Sequence, residues 1–246
     1  MQILWLFISF TFMGALVYGL CRMLRLNPIY AKIDRPKRSA LCSLASVSAS
    51  MLILSVLILT SHKHGSTQGM AHRHQRHLVD QLFLLFLYFL PMVLMLRLNG
   101  ETLQSAGFAR ANLWKATVVG LFLAATTTFN ARGGPGAAFK LTDDHNVHSL
   151  IFFSFVGFGE EILYRGYLQS RLIAWLGRYQ GWILASVIMA LMHLPARLPD
   201  MGFPGAFAFS FGLIPISLLM GFVMLRTGSV VSSSLFHTFA DWMCSG

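Results

Sequence analysis

The stretch 158-FGEEILYRGYLQSR-171 sets Glu160, Glu161 and Arg165 directly behind the apolar run 150-LIFFSFVGFG-159. His193 closes a second apolar block, and His237 and Asp241 stand inside a third. Charged groups are expensive in hydrocarbon, so such residues turn toward a bundle interior and find one another. Spacing sorts them. Glu161 and Arg165 are i, i+4 neighbours on one helical face and can pair. Glu160 points about 100° around the helix from Glu161, so Arg165 can hold one acid while the other faces a cavity. In 237-HTFAD-241 the same spacing brings an imidazole and a carboxylate to one wall. Each feature alone has a structural use: a buried Glu–Arg pair, a helix-end histidine before Pro195, a polar clamp between helices. At one depth, they argue for a shared site.

The surrounding chain explains where that depth lies. Of 246 residues, 55% are hydrophobic and 11% charged, with mean hydropathy +0.62. A soluble domain carries roughly 25% charged residues. The apolar residues come in blocks, which predicts an all-α, polytopic transmembrane bundle of about eight helices, near 2–21, 39–60, 79–98, 116–130, 149–164, 182–194, 205–225 and 228–244. The fourth and sixth are short, and Pro195 is expected to cut off the sixth. The first lacks the basic start of a signal peptide and reads as a retained span. Net charge is +10, but the basic residues lie between apolar blocks, which suits anionic headgroups rather than nucleic acid. The odd-numbered connections hold thirteen Lys and Arg, with Arg165 and Arg171 counted in the fifth, against six on the other side. This bias predicts cytoplasmic odd connections and both termini outside. Helical rise then puts Glu160 and His193 roughly 16 Å deep and His237 roughly 14 Å deep.

Other segments carry less chemistry. The connection 99-NGETLQSAGFARANLWK-115 is amphipathic through Leu103, Phe108 and Leu113 and is expected to lie in the interface as a short helix or hook. The histidine-rich 62-HKHGSTQGMAHRHQRH-77 reads as a weak, non-specific metal binder, and 132-RGGPGAAF-139 as an outer loop without a phosphate-binding Lys-Ser/Thr. Cys21, Cys42 and Cys244 form no CxxC pair, which argues against a disulfide framework or a cysteine zinc site.

Three motifs in chain order resemble those of the CAAX prenyl protease and bacteriocin-processing (CPBP) family of intramembrane endopeptidases. The segment 160-EEILYR-165 matches EExxxR, 189-MALMH-193 resembles FxxxH with Met189 in place of phenylalanine, and 237-HTFAD-241 matches HxxxN/D in its Asp form. The resemblance spans about residues 99–244. It suggests two regions: 1–98, N-terminal helices with the His-rich loop, and 99–246, the catalytic helical core.

The resemblance implies hydrolysis of a peptide bond with glutamate as general base. Glu160 takes that role and His193 shares the water. His237 and Asp241 stabilise the oxyanion, and Glu161 with Arg165 holds the helix geometry. Glu160, His193, His237 and Asp241 are also a ligand set for Zn²⁺, but the HExxH helix is absent. The metal-free reading, with no cofactor, is therefore preferred over a zinc-dependent variant. The implied partners are the lipid bilayer and a membrane-anchored substrate: a C-terminal sorting anchor, a leader peptide or a CAAX-type tail. The compact chain with a basic inner surface looks bacterial, which places it as a multi-pass protein of the inner (plasma) membrane. Two other classes remain: a non-catalytic immunity or scaffold protein, and a transporter using the glutamates as a proton relay. A relay needs only titratable groups, whereas hydrolysis needs the glutamate, both histidines and the oxyanion partner, all of which are present.

Overall fold

The computed structural model describes residues 2–28, 32–63, 78–108, 112–131 and 144–244. These residues form helices and turns, with no strand among them. The helices are α1 (Gln2–Met23), α2 (Pro36–Lys63), α3 (Leu78–Leu98), α4 (Leu113–Ala131), α5 (Asp144–Glu161), α6 (Ser170–Leu176), α7 (Arg178–Leu191), α8 (Leu194–Gly212), α9 (Ile214–Thr227) and α10 (Val230–Cys244). A π-helical segment, Ile162–Gln169, joins α5 to α6 without a break. With α5–α6 taken as one rod and α8–α9 as another, the described residues hold eight helices, in keeping with the hydropathy blocks.

The outer faces of these helices are apolar. Phe12, Leu52, Phe86, Leu94, Leu121 and Phe207 are all exposed, and an apolar exterior of this kind suits lipid rather than water. Two stretches among the described residues, Pro36–Val56 and Leu194–Thr227, are long and apolar enough to cross a membrane. Inside, one apolar cluster draws Val47, Met51, Met92, Leu163, Leu168 and Ala185 together from α2, α3, the π segment and α7. A second joins Val17 and Cys21 of α1 to Val119, Leu123, Leu219 and Phe236.

Two expectations need correction. The fifth span does not end near residue 164. It runs on through the π segment to Leu176, so Arg165 and Arg171 belong to a helix rather than a connection. Both are fully buried: Arg165 pairs with the Glu161 carboxylate and donates to the Ser217 hydroxyl, and Arg171 donates to the Glu101 carboxylate and the Ser105 carbonyl. The sixth span is cut short as expected, with α7 ending at Leu191, and the chain then re-enters helix through Pro195. Pro195 sits in the first turn of α8, where its missing N–H has no helical partner to lose. The seventh span is not one straight helix over 205–225. It breaks at Leu213 between α8 and α9, and α8 kinks at Gly202 (φ 63°), between Pro199 and Pro204.

The connection after α3 follows its expected form. A 3-10 turn, Leu103–Ala106, exposes Leu103 and buries Ser105 and Ala106, while Phe108 and Leu113 beyond it are exposed. It passes so close to the π segment that a Cβ on Gly166 would run into the Ala106 carbonyl. Arg171 fastens it, with Nη2 2.6 Å and Nε 3.1 Å from Glu101 Oε2 and Nη1 donating to the Ser105 carbonyl at 2.8 Å. Ser39 of α2 donates to the other oxygen of Glu101. Residues 64–77 and 132–143, which carry most of the His-rich and Gly-rich segments, lie outside the described residues, as does the side chain of Cys244.

Candidate active site

Helix α5 brings the paired glutamates to α10 at a point set by Gly157. A Cβ there would stand 2.7 Å from Thr238 Oγ1 and 2.8 Å from Thr238 N, so only glycine lets the two backbones meet this closely. One turn further along α5, Glu161 reaches His237, the neighbour of Thr238. Nδ1–H of His237 donates to Glu161 Oε1 at 3.2 Å. On its other side Glu161 Oε2 lies 3.4 Å from Arg165 Nε, and both side chains are 0% exposed. Arg165 Nη2 donates to Ser217 Oγ of α9 at 3.1 Å. Ser217 in turn donates to the Ser186 carbonyl of α7 at 2.8 Å. One chain of contacts thus links α10, α5, the π segment, α9 and α7.

Glu160 turns the other way, as the helical angle requires. It lines a cavity of about 400 Å³ together with His193, His237 and Asp241. Its Oε2 lies 3.6 Å from His193 Nε2 and 3.9 Å from His237 Nε2. Asp241 Oδ2 is 3.4 Å from the same His237 nitrogen and is the most exposed of the group at 38%. His193 occupies the turn between α7 and α8. Its Nδ1–H donates to the Met189 carbonyl at 3.0 Å, which leaves Nε2 aimed at Glu160.

All six candidate residues of the sequence therefore meet in one cluster. The depths inferred from loop charge bring Glu160, His193 and His237 to one level, and the structure joins them through contacts from four helical segments. Sequence spacing pairs His237 with Asp241, and the pair is present, but at Nε2. The ring's other nitrogen is held by Glu161, 76 residues away, a contact no local spacing reveals. Ser217, the partner of Arg165, is likewise invisible in sequence, being one serine in an apolar helix. Gln169 had a local signal: Glu161, Arg165 and Gln169 recur every four residues. Its Nε2 donates to the Gly221 carbonyl of α9 at 3.0 Å. The cavity also takes Met51 and Leu54 from α2, so its wall is not confined to residues 99–246. Among the described residues, no group of three or more His, Cys, Asp or Glu side chains is arranged to hold a metal ion.

Acids and imidazoles facing one another in a mainly apolar cavity make an acid–base site, and the cavity is large enough for a few side chains. Neither a curated protein nor a solved structure matches the chain. Residues 144–243, the segment that holds all six candidate residues, match the family model described as Rce1-like, type II CAAX prenyl endopeptidase Rce1-like, so the resemblance to the CPBP family holds over this segment and supports an intramembrane protease.

Proposed function

We propose that the protein is a membrane-embedded endopeptidase of glutamic type, hydrolysing a peptide bond in a membrane-anchored protein or peptide. The observation that carries this reading is the approach of Glu160 Oε2 to within 3.6 Å of His193 Nε2 and 3.9 Å of His237 Nε2 at a single cavity.

In this reading a water donates one hydrogen to Glu160 and the other to His193 Nε2, which is left as an acceptor because Nδ1–H is committed to the Met189 carbonyl. A carboxylate withdrawn from bulk water is a stronger base toward such a water. The water oxygen attacks the scissile carbonyl carbon as Glu160 takes its proton. Negative charge develops on the carbonyl oxygen, and an N–H at His237 Nε2 stabilises it, in the manner of an oxyanion hole. Glu161 at Nδ1 and Asp241 beside Nε2 orient that ring and balance its charge. Collapse of the tetrahedral intermediate breaks the C–N bond, and Glu160 returns its proton to the leaving amine. Arg165, held by Glu161 and Ser217, is a positioning residue. No step requires a metal or a cofactor.

The substrate class is a C-terminal sorting anchor, a leader peptide or a CAAX-type tail, cut in a bacterial inner membrane that the chain crosses several times. The test compares host cells carrying wild type with cells carrying Glu160→Ala at matched abundance, with protein termini mapped by mass spectrometry. A terminus found only in the wild type is the expected result and names the substrate. Identical termini in the two strains would overturn the reading in favour of a scaffold or immunity role.

A further inference from the structure

A second polar cluster stands away from the cavity, where α1 ends, α4 begins and α9 ends. Arg22 lies in the last turn of α1 and Arg226 in the last turn of α9. Both turn onto Tyr18. Arg22 Nη1 donates to the Tyr18 hydroxyl at 3.4 Å, and the Arg226 guanidinium lies over the Tyr18 ring, 4.7 Å from its centroid. Lys115, in the first turn of α4, joins the same corner, where its Nζ donates to the Arg25 carbonyl at 3.4 Å. Arg25 takes a left-handed backbone (φ 49°), the one described residue other than glycine to do so. Among the described residues, no carboxylate pairs with Arg22, Lys115 or Arg226.

Helix electrostatics explain part of this. A cation in a last turn complements the negative end of the helix dipole, which suffices for Arg22 and Arg226 taken singly. It does not explain why two guanidiniums crowd one phenol, where they repel each other. Nor does it explain Lys115, since a cation in a first turn opposes the dipole. Arg226 Nε is also buried with no hydrogen-bond partner among the described residues. Three cations without a carboxylate, beside the positive end of α4, make a field that suits an anion.

The surroundings identify the kind of anion. Tyr18 is 43% exposed, and Trp114, next to Lys115, is 63% exposed. Tyrosine and tryptophan beside basic residues at helix ends mark the headgroup level of a bilayer. From Trp114 an exposed apolar stripe runs along α4 through Val118, Leu121 and Phe122 at helical spacing. A phosphate held by the cations thus has an apolar track beside it, which an acyl chain can follow and a soluble phosphate cannot use. Loop charge alone assigns the end of α1, the start of α4 and the end of α9 to the cytoplasmic side, where basic pockets between helices take anionic headgroups.

We propose that Arg22, Arg226 and Lys115, with Tyr18, bind the phosphate of an anionic phospholipid whose acyl chain lies along the outer face of α4. The two guanidiniums hold phosphate oxygens, and Lys115 closes the rim. The headgroup ties the end of α1 to the end of α9, two helices that already meet through Val17, Leu219 and Val223. Helix α9 also carries Ser217, the acceptor for Arg165, so the lipid steadies a helix on which the candidate active site leans. The lipid site stands whether or not the cavity hydrolyses peptides.

The experiment titrates full-length protein in detergent with phosphatidylglycerol, phosphatidylcholine or inorganic phosphate. Bound lipid is read by native mass spectrometry and the thermal midpoint by tryptophan fluorescence. The wild type should retain phosphatidylglycerol over phosphatidylcholine, and its midpoint should rise with phosphatidylglycerol alone. Arg22→Gln with Arg226→Gln should weaken phosphatidylglycerol binding by about 30-fold, roughly fivefold per cation. Lys37→Gln with Arg38→Gln removes the same charge from exposed positions at the start of α2 and should bind as the wild type does. Arg22→Lys with Arg226→Lys keeps the charge but loses the guanidinium fork, and binding should fall several-fold. Should the Gln pair at 22 and 226 fail to fold, this Lys pair decides, and wild-type binding by it overturns the site. Equal losses in the two Gln pairs would reduce the effect to general surface charge and overturn the site as well. Equal retention of both lipids by the wild type, or a midpoint raised as much by inorganic phosphate, would overturn the assignment to an anionic phospholipid.

Discussion

Nδ1 of His237 lies 3.2 Å from Oε1 of Glu161, and its Nε2 faces Glu160 and Asp241. The two adjacent glutamates therefore meet opposite edges of one imidazole. Glu161, fully buried and shared with Arg165, fixes how the ring points. Glu160, on the cavity, meets the edge that the ring presents to a substrate. A pair of identical side chains acquires two roles from a rotation of about 100° about the helix axis.

The roles separate under substitution. Glu160→Gln keeps size and hydrogen-bonding capacity but removes the base, and should lower the yield of the Glu160-dependent protein terminus by about 10²–10⁴-fold. Its thermal midpoint in detergent should match that of the wild type, since Oε2 makes no hydrogen bond among the described residues. Full cleavage by Glu160→Gln would remove the general base from this position.

Arg165 should behave in the reverse way. Arg165→Met leaves Glu161 as a buried charge without its cation, and breaking such a pair costs about 3–5 kcal/mol. The double variant Arg165→Met, Glu161→Gln removes both charges and should recover much of that loss. Thermal unfolding of the four proteins in one detergent forms the cycle. Additive effects of the two substitutions would mean that the 3.4 Å contact contributes no coupling.

How much of this was legible in the sequence follows from the range of the interactions. The helical blocks were, because long apolar runs read as helices from composition and length alone. So were the i, i+4 pairs Glu161–Arg165 and His237–Asp241, which a helix fixes by itself. The Glu161–His237 contact was not, because it depends on Gly157 admitting α10 to the face of α5. In sequence Arg171 scans as a loop charge, since only the fold brings Glu101, 70 residues distant, to neutralise it. The π segment also has no sequence signature: the apolar block stops near residue 164 and Arg165 scans as the start of a connection, while the close approach of Ala106 at Gly166 emerges only with tertiary packing.

Asp241 tests what the His237 Nε2 edge requires. Asp241→Asn retains an acceptor for Nε2–H and adds a donor for an oxyanion, so cleavage should stay within about tenfold of the wild type. Asp241→Ala removes the acceptor that helps orient the His237 ring, and cleavage should fall further, by up to about 10²–10³-fold, which is what loss of one oxyanion-hole donor is worth. Equal losses in Asn and Ala variants, in protein of matched abundance, would mean that the negative charge itself is needed.

The metal-free mechanism makes a separate demand. If Glu160 and His193 hold the water between them, prolonged treatment of the membranes with a strong zinc chelator should leave the cleavage rate within about twofold of untreated membranes. The geometry behind this expectation is the commitment of ring nitrogens within the protein. Nδ1 of His193 is held by the Met189 carbonyl and Nδ1 of His237 by Glu161, leaving each imidazole one nitrogen for the chemistry. Those nitrogens face the carboxylate at 3.6 and 3.9 Å, close enough for a single water to engage Glu160 and His193 together. A zinc ion bound there would compete for the same atoms and displace that arrangement. Loss of activity on chelation, restored by zinc and not by magnesium or calcium, would replace the glutamate-held water with a zinc-bound one and would reassign Glu160 from base to ligand.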